Sequence, residues 1–198
     1  YFTNPDPAYH GLVYADLGAP ALALKARVTL LRDTGAAASP FNAWTLAQGI
    51  DTLSLRIERH VSNAQRIAEW LEAREDVAKV QYAGLASSPY NELQKKISPK
   101  GAGAIVTFDI AVPDGASDED VKQRAWTFID ALKLHSCLVN IGDVRSLVSH
   151  PATTTHSQGT PEANAIAGVT WATIRLSVGI ESVDDLIADL ELGFAAIS

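Results

Sequence analysis

Apolar residues recur at intervals of three or four over a long stretch in the first half of the chain. The stretch begins after Ser39-Pro40, a pair typical of a helix start, because serine caps the first turn and proline suits its first position. The apolar positions that share one face are Phe41, Trp44, Ile50, Leu53, Ile57, Val61, Ala64, Ile67, Ala68 and Leu71. The pattern predicts a helix over residues 40–74, about 50 Å long, with a weak point at Gly49 and Asp51.

Beyond this helix, short strand patterns alternate with helical ones. Ser117 and Ser182 each open a helical stretch with a capping box. The strand patterns lie at residues 77–82, 104–110, 137–141 and 173–178. Together they predict an α/β fold, with a long connecting helix followed by a small C-terminal domain of about four β-strands with helices on one face. Residues 142–168 follow neither period and are predicted to form a loop.

The first residues of the chain are of types that favour turns, and they show no long helical pattern. In Asn4-Pro5-Asp6-Pro7, each proline pushes the residue before it away from helical conformation. The remaining pattern predicts a short helix at 20–26 and a strand near 27–31. With the connecting helix between them, we expect two domains, residues 1–60 and residues 61–198.

Composition and charge exclude several classes of protein. The chain has 198 residues, 47% of them hydrophobic, and a formal net charge of −7, the wrong sign for nucleic-acid binding. No apolar stretch reaches the roughly 18 residues that a membrane span needs. The single cysteine, Cys137, fits a reducing cytosol. The chain contains no methionine, so we expect it to be the later part of a longer polypeptide.

The strand pattern near the C-terminus contains the clearest candidate for chemistry. Alternation in Thr173–Val178 places Arg175 between two hydroxyl side chains on one face and aliphatic side chains on the other. An arginine in mid-strand is uncommon unless its guanidinium has a partner. With neutral donors from the preceding loop, such as Asn140 and Thr153–Thr155, it could hold a carboxylate. The alternative is a surface salt bridge with one of the many acidic residues.

The other reactive residue types favour structural roles. His150 and His156 are interpreted as hydrogen-bonded loop residues, since a metal site would need a third ligand at closer spacing, and no metal site is predicted. Cys137 is expected in a buried strand, as an inert core residue. Arg32 and Asp33 could be a working pair, but an ion pair beside a turn is the default.

Several motifs nevertheless resemble the pyridoxal-phosphate (PLP) enzymes of cysteine and methionine metabolism. The motifs are Leu31–Ala36, Ser39–Ala43, Gly49–His60, Gly142-Asp143, Ser149–Ala152, Thr155-His156 and Ile174–Glu181. This resemblance implies a fold-type-I PLP transferase. Residues 1–60 would then be the end of the large PLP-binding domain and the start of the connecting helix.

Within the family, the opening segment resembles the insertion of the O-acetylhomoserine sulfhydrylases. The resemblance rests on Pro7–Tyr14 and the stretch to Val28, together with Asn140. It implies replacement of acetate in O-acetylhomoserine by sulfide or a thiol, giving homocysteine or methionine. Alternatives are a cystathionine gamma-synthase or methionine gamma-lyase sibling, or a non-catalytic binding or assembly fragment.

The resemblance also implies roles for individual residues. Arg175 would bind the substrate α-carboxylate, with Asn140 and Thr155 as further contacts. Arg32 and Asp33 would reach the site mouth of a neighbouring subunit, which implies a dimer or tetramer. No lysine of this chain lies in the family's Schiff-base context, so catalytic and cofactor-binding residues are expected in an N-terminal segment, and the fragment alone is expected to be inactive.

Overall fold

The computed structural model describes the backbone of residues 1–198 and the side chains of all residues except Pro161. The chain divides into two compact units, Tyr1–Asp51 and Thr52–Ser198. The division between these units falls where Thr52 leaves helical conformation, with φ −106° and ψ 3°. The domain boundary expected between residues 60 and 61 stays a prediction.

The regular elements of the first unit are all helical, and its opening turn is closed by an isolated bridge between Asp6 and Leu12. Two short 3-10 turns precede the regular elements, which are α1 (Ala21–Lys25), a π-helix (Ala26–Leu31), α2 (Arg32–Thr34) and α3 (Pro40–Asp51). The strand expected near 27–31 is wrong, because the Thr29 hydroxyl and the backbone close local helical bonds there. Among residues 1–51, all of whose side chains are described, Tyr14 is the only fully buried one.

The predicted long helix is present as two helices. The first is α3, whose start at Pro40 is confirmed, with the Ser39 hydroxyl accepting from the backbone N of Asn42 at 3.1 Å. The second is α4 (Leu53–Glu72), which buries His60, Asn63, Ile67 and Leu71 along one face. The interruption at Thr52 directly follows the weak point that Gly49 and Asp51 indicated.

The second unit is built on a five-stranded sheet. Its strands are β1 (Val77–Gln81), β2 (Ile105–Ile110), β3 (Ser136–Cys137), β4 (Leu147–Ser149) and β5 (Thr173–Ser177), in the order β1-β2-β5-β4-β3. All neighbours are antiparallel except β3 and β4. The unexpected strand is β4, which lies in the predicted loop. It is too short to show alternation, and its pairing with β5 defines it.

Helices cover one face of this sheet, as the sequence predicts. The helices of this unit after α4 are α5 (Asn91–Ile97), α6 (Asp118–Ala131), α7 (Pro161–Ile166) and α8 (Val183–Ala196). The core joins α4, α6 and α8 to the sheet, and Phe108, Phe128 and Phe194 meet at its centre with ring centroids 4.9–6.0 Å apart. The expectation of a buried Cys137 is wrong: it is exposed, because β3 is a two-residue strand at the sheet edge.

Candidate functional site

A row of polar side chains crosses the sheet on the face away from the core. Thr107 of β2 is paired with Gln81 on one side and with Arg175 on the other, and Arg175 is paired with Ser149 of β4. Directly paired residues of neighbouring strands point to the same face. The row therefore places Arg175 between two hydroxyl side chains, with strands about 4.8 Å apart.

Alternation along β5 determines which residues share that face. Ile174 and Leu176 are fully buried in the core, so Thr173, Arg175 and Ser177 lie on the opposite side. This arrangement confirms the predicted alternation.

The guanidinium of Arg175 is almost uncommitted. Its NH2 group donates to the backbone carbonyl of Asn140 at 3.4 Å, near the limit for a hydrogen bond. No other hydrogen bond or ion pair to this side chain occurs among the described residues. Since a guanidinium carries five N–H donors, most of them remain available to a ligand.

Two buried hydroxyls beside Arg175 also lack partners. The Oγ atoms of Ser149 and Ser177 are buried and have no hydrogen bond within the described part of the chain. A buried polar group without a partner costs about 1–3 kcal/mol. Both oxygens are covered by protein atoms, so the group here that can donate to a carboxylate is the guanidinium of Arg175.

The sequence includes Ser149 among the neutral hydroxyl donors of the loop, but nothing in it predicts that Ser149 lies directly beside Arg175. That proximity comes from the β4–β5 register. Alternation places Ser177 on the correct face but does not identify it as a ligand group.

The structure brings Asn140 to Arg175 through its backbone. The Asn140 side-chain oxygen accepts from the backbone N of Ile141 at 2.8 Å, within its own loop. Thr155 is exposed, and its hydroxyl contacts His156 Nδ1 at 2.9 Å. Among the described side chains, no hydrogen bond joins Thr155 to Arg175 or Asn140. A role for either side chain in carboxylate binding stays a prediction.

His150 is a hydrogen-bonded loop residue, as expected. Its Nε2 donates to the carbonyl of Trp171 at 2.9 Å, and its Nδ1 lies 2.9 Å from the Thr153 hydroxyl. Burial lowers the pKa of His150, so the neutral ring fits this geometry. In the part of the chain that the structure describes, no group of three or more metal-ligating side chains could hold a metal ion.

Arg32 has a partner other than Asp33. Its NH1 donates to the Tyr9 hydroxyl at 3.2 Å, and that hydroxyl donates in turn to the carbonyl of Val28. Asp33 is exposed, and no ion pair between the two occurs among the described residues. The default ion pair is therefore wrong: the Arg32 guanidinium contacts the Tyr9 hydroxyl, and Asp33 makes no ion pair with it.

None of the helices described is both long and apolar enough to cross a membrane.

Comparison with known sequences gives one family. The chain matches the family described as Cys/Met metabolism PLP-dependent enzyme over residues 10–195. It is 62% identical over 197 residues to the O-acetyl-L-homoserine sulfhydrylase of Corynebacterium glutamicum, and 45% identical over 194 residues to O-acetyl-L-homoserine sulfhydrylase 1 of Thermus thermophilus. These alignments cover 100% and 98% of this chain but 43% and 44% of those proteins. The chain thus spans less than half the length of these relatives.

Solved structures agree with this result. A Campylobacter jejuni protein described as an O-acetylhomoserine (thiol)-lyase, solved with a pyridoxyl-lysine phosphate adduct, matches with a TM-score of 0.80 and 42% identity. That match covers 99% of this chain and 44% of the other. A cystathionine gamma synthase of Xanthomonas oryzae, in complex with cystathionine, matches with a TM-score of 0.71 and 35% identity, over 83% of this chain and 40% of the other.

Proposed function

The chain belongs to the family of PLP-dependent enzymes of Cys/Met metabolism, and we propose that it supplies the substrate-carboxylate site of an O-acetylhomoserine sulfhydrylase. The observation that carries this proposal is the uncommitted guanidinium of Arg175 beside the buried, partnerless hydroxyls of Ser149 and Ser177. Family membership, as read from the sequence motifs, is confirmed.

The proposed reaction replaces acetate at Cγ of O-acetylhomoserine by sulfide or a thiol, which gives homocysteine or methionine. The intact enzyme would be a transferase. When bound, PLP supplies the electron sink that makes the Cα–H bond acidic. The contribution of this chain is to bind and orient the substrate.

The donor set on the sheet face fits a carboxylate and not the coenzyme itself. PLP needs a lysine amine for its aldehyde, and none of the four residues in the row across the sheet is a lysine. Of the described lysines, Lys25 is occupied by Asp6 at 3.6 Å and lies over the rings of Tyr1 and Tyr14. We infer that the coenzyme is held mainly by a segment of the full-length protein outside this chain.

Arg175 acts by geometry more than by charge. A guanidinium can bind a carboxylate with two parallel N–H···O bonds, which fixes the direction of the carboxyl group. A fixed carboxylate in turn fixes the orientation of the Cα–H bond, and such orientation accounts for a large share of catalysis in many enzymes. Asn140 and Thr155 are proposed as further contacts of the same carboxylate.

Arg32 and Asp33 are proposed to lie at the site mouth of a neighbouring subunit. The Tyr9 hydroxyl holds the Arg32 guanidinium in place, which would pre-orient it for that role. This proposal requires a homodimer or homotetramer. A cytosolic location, expected from the single cysteine, stays a prediction.

Cystathionine gamma-synthase is the second candidate, because a member of that group shares 35% identity and a TM-score of 0.71 with this chain. The two functions differ in the nucleophile. The full-length holoenzyme, supplied with O-acetylhomoserine and either sulfide or cysteine, separates them when products are measured. We expect homocysteine from sulfide at the higher kcat/KM. Failure to form homocysteine, or cystathionine as the preferred product, would reject the sulfhydrylase assignment.

A further inference from the structure

A buried polar network joins the end of β5 to the loop that carries Asn140. Glu181 follows β5, and its carboxylate accepts from Ser146 twice, from the backbone N at 2.7 Å and from the hydroxyl at 2.9 Å. The Ser146 hydroxyl accepts in turn from the backbone N of Gly179 at 2.8 Å. Because Ser146 is fully buried and ends the loop that starts at Asn140, one carboxylate fixes the end of that loop.

Helix α4 holds the same segment from the other side. The Asn63 amide donates to the carbonyls of Gly179 and Glu181, at 3.1 and 2.9 Å. The Nδ1 atom of His60 donates to the carbonyl of Val178 at 2.6 Å. Both side chains are buried, and their three hydrogen bonds tie the backbone after β5 to the helix.

The segment and the loop touch at Gly179. A Cβ atom at this position would collide with the Glu181 carboxylate and with backbone atoms of Val144 and Ser146. The backbone N of Ile180 donates to the carbonyl of Val144 at 3.0 Å. The two stretches of backbone therefore have little freedom to separate while Glu181 holds Ser146.

We propose that Glu181 is a positioning residue for the substrate carboxylate site. Its two bonds to Ser146 lock the loop 140–146 onto the end of β5 and so present the Asn140 loop to Arg175, which lies six positions before Glu181 on the same backbone. Bonds to an ionised carboxylate are stronger than neutral ones, which suits a residue that must hold a loop of irregular backbone. The proposal rests on the proposed function, because it needs Arg175 to bind a carboxylate.

The test compares two ligands that differ only in the carboxyl group, norvaline and n-butylamine, as inhibitors of the full-length holoenzyme. The variants are Glu181→Gln, which keeps the size of the side chain, and Ser146→Ala, which removes the hydroxyl bond to the same carboxylate and leaves the backbone bond. We expect each to raise the Ki of norvaline about tenfold, as the loss of one charge-assisted bond would. The Ki of n-butylamine should stay within about twofold, since it never uses the site.

Two further variants serve as references. Asp184→Asn removes an exposed carboxylate whose partner is Arg66, and should change neither Ki. Arg175→Lys tests the proposed function itself: if the Ki of norvaline does not rise in it, the carboxylate assignment fails.

If Arg175→Lys raises the Ki of norvaline and Glu181→Gln does not, the positioning role alone is rejected. Equal weakening of both ligands by Glu181→Gln, or loss of the coenzyme absorbance in both network variants, would assign the network to folding and also overturn the proposal.

Discussion

At the scale of single residues, Arg175 has most of its hydrogen-bond donors unused in the described structure. Its contact with the Asn140 carbonyl at 3.4 Å is weak, and the nearby hydroxyls of Ser149 and Ser177 are buried without partners in the described structure. Each such hydroxyl costs about 1–3 kcal/mol while it stays unsatisfied. The free donors of the Arg175 guanidinium are therefore the groups proposed to bind a carboxylate, whereas the two hydroxyl oxygens are covered by protein atoms.

Replacement of Arg175 by lysine tests the geometry of this site. Arg175→Lys keeps the charge but loses the two parallel bonds, so we expect kcat/KM for O-acetylhomoserine to fall about thirtyfold, near 2 kcal/mol. Arg175→Ala should cost about 3 kcal/mol or more, because the carboxylate would be left without its partner. Steady-state kinetics of the full-length enzyme measure both. Arg66→Lys, in an exposed ion pair, is the matched control, and unchanged kinetics in Arg175→Lys would reject the assigned role.

The sequence predicted on which face of β5 Arg175 lies, but not which residues surround it. Alternation of apolar and polar residues in β5 is a local property, and the structure confirms it. The presence of Ser149 beside Arg175, and of Glu181 against Ser146, depends on strand register and on contacts between residues 35 positions apart. Long-range pairing of this kind leaves no periodic signal in a single sequence.

At the scale of elements, one carboxylate attaches α8 to the connection between α6 and β3. Asp189 accepts from the backbone N–H groups of Lys133, Leu134 and His135, at 2.7–2.9 Å, and from the His135 ring at 2.8 Å. Burial opposes ionisation, but these bonds lower the pKa of Asp189 below its usual value. Burial lowers the pKa of His135, although Asp189 opposes that change.

Asp189→Asn should therefore destabilise the protein by about 2–3 kcal/mol, because an amide NH2 would face N–H donors. A carboxyl group whose pKa is lower in the folded than in the unfolded state stabilises the fold at pH values above its unfolded pKa. This stabilisation is lost as pH falls through the folded pKa. The gap in urea midpoint between wild type and variant should accordingly persist at about pH 5 and narrow only below about pH 4. Asp185→Asn, exposed on the same helix, is the control, and an equal effect of both variants would contradict this role.

The buried His135 also makes the folded protein less stable as pH falls. With a lowered folded pKa, His135 stays neutral in the native protein while the unfolded chain takes up a proton below about pH 6.5. Stability is lost as pH falls through that range. Protonation of His135 and of Asp189 therefore both favour unfolding in acid.

Element prediction succeeded where the pattern was long and failed where it was short. The Ser39-Pro40 start and the helix starts near Ser117 and Ser182 are all present. The capping box predicted at Ser117 is confirmed, whereas the one predicted at Ser182 is wrong, because the Ser182 side chain makes no capping hydrogen bond. The three residues of β4 are too few for alternation to be recognised. Within the π-helix at Ala26–Leu31, the Val28 carbonyl accepts from the hydroxyl of the distant Tyr9. Spacing along the sequence predicts neither this contact nor the π-helix.

At the scale of the whole molecule, α3 exposes more apolar surface than a lone helix tolerates. Phe41, Trp44, Leu46 and Ile50 are each 59–69% exposed. A helix that is apolar on several sides is normally buried in a larger structure. Since relatives are more than twice as long as this chain, we infer that other parts of the full-length enzyme cover α3.

The isolated chain of residues 1–198 should consequently behave unlike the full-length enzyme. We expect it to enhance the fluorescence of the dye ANS, which binds exposed apolar surface, and to show neither a coenzyme absorbance band nor homocysteine formation. The double variant Phe41→Ser/Trp44→Ser should reduce dye binding of the isolated chain, whereas a change at exposed Leu192, to serine, should have little effect. Arg175 is proposed only to bind the substrate, and no lysine of this chain lies in the Schiff-base context that the family resemblance implies. Product formation by the isolated chain would therefore contradict the proposed roles.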